Sequence, residues 1–325
     1  MTKKLLYSVI ISGNMLLINL AHANYFIAAS INTAGYKLNQ SSIPATVGEE
    51  TSWWMDSGSV LTNISSSNTN SYAQLTINGT LVGDNVYATN NPGLGIKYRL
   101  YLGTDQTTPP AGSEIAPDYK VTLNATPKQL NTYTHVYYKM VRLTEKVEAG
   151  KITSAPDVIL TFHNPNGDGP STISGTILSG ISSQPRVVGC TVDAVSEIKL
   201  PTLYGNELIN GAQKITEAPT IMLKNCPGAI DSISYNFSAV YGTHNATNGV
   251  LKTVTGDGYA KNVYVQIQNA DGTAHEVNSA IPLSNYDGSG DYAIPDFKVA
   301  YFIDDANTVT AGKVKTAIEL KVTYN

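Results

Sequence analysis

The chain has 325 residues, a net charge of -4 and only 14% charged residues. Long helices with a solvent-facing side need Lys, Glu and Arg, so a helical bundle is excluded, and the negative balance leaves no support for a nucleic-acid surface. Two cysteines, Cys190 and Cys226, are too few for a disulfide-dense scaffold or a four-cysteine zinc site.

The N-terminus reads as a secretory signal peptide over residues 1–23. Lys3 and Lys4 supply the positive start. A mostly apolar run follows from Leu5 to Leu20, broken by Ser8, Ser12, Gly13, Asn14 and Asn19. Ala21-His22-Ala23 is the small-residue cleavage site. A spanning helix needs about 20 clean apolar residues, which this run does not offer. Cleavage would expose Asn24. Export leads to an oxidising compartment, where Cys190 and Cys226 are expected to pair.

Beyond Asn24 the pattern has period two. Ala73, Leu75 and Ile77 alternate with polar residues, as do Ile96, Tyr98 and Leu100, and Val158, Leu160 and Phe162. The pattern returns at Ile233, Tyr235 and Phe237, at Val263, Val265 and Ile267, and at Phe297, Val299 and Tyr301. Such alternation sets one face of a strand on a core. Turn sequences separate the runs, among them Asn78-Gly79, Asn91-Pro92-Gly93 and Asp271-Gly272. The expected fold is all-β, with two β-sandwich domains. The Gly/Ser/Pro stretch Ser179 to Pro185 reads as their linker, giving domains over 24–182 and 183–325. The last strand is expected from Val314 to Tyr324, with Val314, Ile318, Leu320, Val322 and Tyr324 on one face.

No G-x-S-x-G, P-loop or HExxH motif occurs, so nothing marks an enzyme. Several polar groups mark candidate binding sites. Asn164, Asn166 and Asp168 form a polar loop just after a strand, next to His163. Amides and carboxylates offer the paired donors and acceptors that sugar hydroxyls need, although the same residues build ordinary turns. Trp53 and Trp54 point to opposite faces of a strand, so Trp54, with Asp56 nearby, could stack on a sugar ring or simply pack. His135 and His163, with Asp56, Asp118, Asp157 or Asp168, are a weaker zinc alternative, since no H-x-H or H-x-x-x-H spacing is present. No cofactor is implied.

The C-terminal part resembles the pilin domain of chaperone–usher fimbriae. The resemblance is carried by Gly189-Cys190-Thr191-Val192, Ile198-Lys199-Leu200-Pro201, Leu223-Lys224-Asn225-Cys226-Pro227, Asn262-Val263-Tyr264-Val265, and the final Val322-Thr323-Tyr324-Asn325. It implies an immunoglobulin-like sandwich that lacks its last strand. The groove beside Val314, Ile318, Leu320, Val322 and Tyr324 would be filled first by a periplasmic chaperone and, after passage through an outer-membrane usher, by a donor strand of the next fimbrial subunit. A whole domain stands where a shaft subunit has its donor extension, so the arrangement resembles a two-domain tip adhesin. Val147-x-Ala149-Gly150 and the loop after it are similar to the mannose-specific type 1 fimbrial adhesin. That likeness implies His163, Asn164 and Asp168 as contacts to a host glycan, with the amine of Asn24 lining the pocket. Phe162-His163 departs from the polar residues of that adhesin, so mannose is not assumed. Binding to protein or an abiotic surface, and a purely structural or assembly-initiating subunit, are the alternatives.

Overall fold

The computed structural model describes residues 26–29, 31–51, 55–65, 72–103, 120–122, 130–163 and 172–325. For 26–29, 55–65, 101–103, 120–122 and 130–135 the description is of backbone alone. The described chain is all-β, with three single-turn 3-10 segments, Leu38–Gln40, Gly205–Glu207 and Ala306–Thr308. None of its helices is long and apolar enough to cross a membrane.

Two sheets are built from residues up to 183. The first runs in the order Phe26–Ala29, Met55–Ser65, Leu130–Arg142, Leu94–Gly103, Val86–Ala88, Leu81–Gly83. The second runs Ala34–Lys37, Thr172–Ser183, Asp157–His163, Tyr72–Asn78, Lys120–Thr122. All pairings are antiparallel except that of Ala34–Lys37, which lies parallel to Thr172–Ser183. The sheets face each other across one apolar core. Ile96, Tyr98 and Leu100 come from the first sheet and Val158, Leu160 and Phe162 from the second, and none of these six exceeds 2% exposure. The period-two pattern therefore selects the buried face of these strands correctly.

Tyrosines tie the two sheets together inside this core. The Tyr36 hydroxyl lies 2.7 Å from that of Tyr98 and donates to the Pro156 carbonyl. The Tyr138 hydroxyl accepts from the Lys37 amide at 2.7 Å. Burial pushes the Tyr36 and Tyr98 hydroxyls far above their ordinary range, so they stay protonated as donors. Fully bonded polar groups in a core fix one mutual placement of the layers. On the outer face of the first sheet, Glu50 receives Lys97 Nζ at 2.6 Å and also Lys139 Nζ. Burial alone would raise the Glu50 carboxyl, but the two ammonium groups outweigh it and hold it low.

Three further sheets use residues 191–324. Their orders are Thr191–Asp193, Met222–Cys226, Gly290–Ala293, then Gly211–Glu217, Phe297–Ile303, Tyr264–Asn269, Val250–Leu251, Thr243–Asn245, and last Ile281–Pro282, Ile233–Ala239, Ile318–Tyr324. They enclose a second core around Leu223, Ile233, Phe237, Leu251, Ile267 and Ile294. No described sheet mixes strands from before 184 with strands after it. The boundary expected between 182 and 183 cuts the strand Thr172–Ser183 at its last residue.

The final strand is shorter than the alternation suggests. It spans Ile318–Tyr324 and pairs with Ile233–Ala239. Residues 313–317 instead bond to other segments. Lys313 N donates to Gly258 O at 2.8 Å, Ala260 N donates to Lys313 O at 3.0 Å, and Val254 N donates to Lys315 O at 2.8 Å. Their backbone partners lie largely in the loop before Val263, so the pattern persists where the ladder has ended.

Cys190 and Cys226 are bonded to each other across a separation of 36 residues. Loop-closure entropy assigns such a link about 3–4 kcal/mol of stability. Replacing both cysteines by Ser is expected to lower the unfolding free energy of the C-terminal half by that amount, read from urea titration. His275 gives a second test. It is 4% exposed, its Nδ1 lies 2.7 Å from Asn269 Oδ1, and burial depresses its pKa. The folded state thus binds its proton less readily than the unfolded chain. Stability should be full above about pH 6.5 and fall as the pH drops below it, a slope that His275→Gln should reduce.

Candidate functional sites

The strongest structural feature is a groove in the C-terminal half, with a volume of about 1110 Å³. Its floor is apolar, made by Ile221, Phe237, Leu251, Ile267, Phe297 and Val299. One wall is the segment Val192 to Leu200; the other is Lys313 to Leu320. The walls run antiparallel. At one end Cys190 N donates to the Tyr324 hydroxyl at 2.7 Å, and at the other Leu203 and Val314 share a small apolar cluster.

Among the described residues the strand Ile318–Tyr324 ends its sheet and has a ladder partner on one side only. Its inward residues Ile318, Leu320, Val322 and Tyr324 are all partly exposed, although they face the core. An apolar row beside free backbone donors and acceptors is an edge that invites another strand. Of the groove residues expected from sequence, Val314, Ile318 and Leu320 line the cavity. Val322 and Tyr324 continue the same face beyond it, toward Cys190.

In the N-terminal half, His163 ends the strand Asp157–His163 and is partly exposed. Its ring stacks on Tyr72 at 4.3 Å. The two residues are cross-strand partners, as are Thr161 and Gln74 one step along the same face. Thr161 Oγ1 lies 2.8 Å from Ser174 Oγ. This row of hydroxyls and amide beside two rings lies at the end of the strand that closes on His163. Asn164, Asn166 and Asp168 lie outside the described residues, as do Trp54, Asn24 and Asp118.

Asp56 is placed by its backbone only, opposite Tyr137 on the first sheet, and Tyr137 is in turn opposite Arg99. His135 belongs to the first sheet and His163 to the second. Asp157 accepts from Ser179 Oγ at 2.5 Å. Among the described residues no three His, Cys, Asp or Glu side chains gather as a metal site would require.

A feature without a sequence signal lies where the two halves meet. The stretch Lys146 to Lys151 sits between two loops of the C-terminal half. Ala149 N donates to Asp287 O, Gly150 N to Ile230 O, Ala229 N to Glu148 O and Ser289 N to Val147 O, at 2.7–3.1 Å. Lys146 pairs with Asp287 at 2.5 Å and Lys151 with Asp231 at 2.7 Å. Ala229 is buried within the core of the N-terminal half. Gly228 and Gly288 leave no room for a Cβ, which would collide with the Val147 carbonyl.

Two outcomes follow for this junction. Hydrogen bonds from Lys151 hold the Asp231 carboxyl below its ordinary range, and the Lys146 bond does the same for Asp287. A depressed carboxyl stabilises the contact above its unfolded pKa and loses that effect as the pH falls through the folded one. Amide exchange at Ala149 and Gly150 should therefore be slow at neutral pH and accelerate below about pH 4, beyond the intrinsic pH dependence of exchange. Gly228→Val should release the same amides at neutral pH while leaving both cores protected.

Residues 172–325 match the family model described as "Fimbrial protein". No curated protein sequence matches the chain. Among solved structures, it is similar to the CupB6 tip adhesin of Pseudomonas aeruginosa, at 14% identity over 93% of this chain and 94% of that one, with a TM-score of 0.45. It is also similar to a chaperone–tip-subunit complex, CsuC–CsuE of Acinetobacter baumannii, at 12% identity over 91% and 99%, with a TM-score of 0.39. A Burkholderia pseudomallei antigen and type I fimbria protein, BPSL1626, matches at 24% identity over 43% and 91%, with a TM-score of 0.31.

Proposed function

We propose that this protein is a fimbrial tip adhesin, exported by the signal peptide over residues 1–23 and carried at the cell surface. Its C-terminal domain is held in the fimbria by donor-strand complementation, and its N-terminal domain binds a host receptor, with a glycan as the preferred class. The observation that carries the anchoring half is the open apolar groove beside Ile318–Tyr324, in a chain whose residues 172–325 match the fimbrial family. A periplasmic chaperone fills that groove first, an outer-membrane usher accepts the complex, and a donor strand of the next subunit replaces the chaperone. The reading involves no catalysis and no cofactor.

The lectin half rests on the Tyr72–His163 rings and the hydroxyl row beside them, at the strand end that precedes Asn164 in sequence. One planar ring face and a few fixed hydroxyls suit a sugar, and weak single sites gain strength from many fimbriae per cell.

Residues 24–325 produced without a chaperone should aggregate. The same chain with a donor strand fused through a flexible linker after Asn325 should be soluble and monomeric. Solubility of the unfused chain would refute the anchoring reading. A glycan array with the soluble fusion tests the receptor half. Binding that is lost in Asn164→Ala and Asp168→Ala supports the loop, and binding that survives chelator discards zinc. Binding to a matrix protein and to no glycan would replace the glycan with a protein receptor.

A further inference from the structure

The groove is not electrically neutral along its length. Near the Cys190 end Asp193 pairs with Lys224 at 2.5 Å, and midway along the groove Glu319 pairs with Lys321 at 3.4 Å. At the Val314 end the lining carries Lys199 from one wall and Lys313 and Lys315 from the other, with Glu197 the one acid beside them. All three lysines are exposed, and among the described residues none of them forms an ion pair. Because the walls run antiparallel, Lys199 and the pair Lys313 and Lys315 stand at the same end of the groove.

The backbone there is fixed rather than loose. Lys313 exchanges hydrogen bonds with Gly258 and Ala260, and Thr316 Oγ1 donates to Lys252 O at 2.7 Å. The two lysines of this wall therefore project from a held segment. Val314 between them faces the cavity.

We propose that the groove takes an extended partner segment that is apolar at alternate positions and carries a carboxylate at the end lying by Lys199, Lys313 and Lys315. The inference rests on the donor-strand reading and adds the partner's charge and the end of the groove at which it lies. Alternate apolar side chains fill the floor, which any such strand could do in either direction or in a shifted register. A one-residue slip turns the apolar row outward, but a two-residue slip does not. The asymmetric charge discriminates among these alternatives, because an acid placed at the Cys190 end meets charges already paired. Complementary charge at the rim thus sets register and speeds encounter more than it adds affinity.

The test uses the full chain with its groove occupied by a fluorescent donor peptide, displaced by competitors in trans. The competitors are extended peptides of about ten residues with one alternating apolar row. They carry Glu, Gln or Lys at the end expected by the lysines, or Glu at the opposite end. The Glu peptide is expected to compete about fivefold better than the Gln peptide at low salt, the scale of a few rim ion pairs. The Lys peptide should compete worse than Gln, and Glu at the opposite end should give no gain. The advantage should shrink at high salt and reverse in Lys313→Glu/Lys315→Glu. Equal competition by all four peptides would overturn the charge inference while leaving the donor-strand reading intact. Failure of every apolar peptide to displace the probe would overturn both.

Discussion

Everything in the C-terminal half turns on one unpaired sheet edge. The strand Ile318–Tyr324 bonds to Ile233–Ala239 on one side and, among the described residues, has no strand on its other side, along an apolar floor. A complete sandwich would cover Phe237, Ile267 and Phe297 with one more strand. Here no described strand lies over them: the three floor residues are themselves buried, and the inward residues of the edge stay partly exposed. The disulfide and the dense packing of Leu223, Ile233 and Ile294 hold the rest of the fold in shape around the missing element. A domain built in this way keeps an exposed apolar cavity without collapsing into it.

The N-terminal half solves a different problem. Its two sheets bury enough apolar surface to stand face to face, and the bonded tyrosines give that stack one register. The outer faces are then free to differ. One carries the Glu50–Lys97–Lys139 cluster, and the other carries Thr161, Ser174 and the Tyr72–His163 pair. A stable interior thus frees surface residues to be chosen for recognition.

Much of this was legible in the sequence because the buried face of a strand repeats every second residue. Ala73, Leu75, Val158 and Leu160 show it plainly, and all four are fully buried. The disulfide was legible from the expected export signal and the cysteine count. What failed was the extent of the final strand, since Val314 keeps the apolar alternation after the ladder partner has changed to a loop. The Tyr72–His163 stack was illegible for another reason: it depends on which residues of two distant strands fall opposite each other. The junction was not legible as a contact, although Val147-x-Ala149-Gly150 stood out by resemblance. It is made mostly of backbone amides and carbonyls, which every residue carries, and of glycines whose need arises only from Val147.

The end of the groove-lining strand lies at that junction. Asp231 N donates to Asn325 O at 2.8 Å, and the Asp231 carboxylate holds Lys151 through both its amide and its ammonium group. A pull between the groove and the first two sheets therefore has a second route beside the covalent one. The covalent route is the chain through Gln184 and Val188. The other crosses from Asn325 through Asp231 to Lys151 and Gly150. Tension and torque are shared between a tether and a strut, and the molecule resists bending at its waist as a single linker would not.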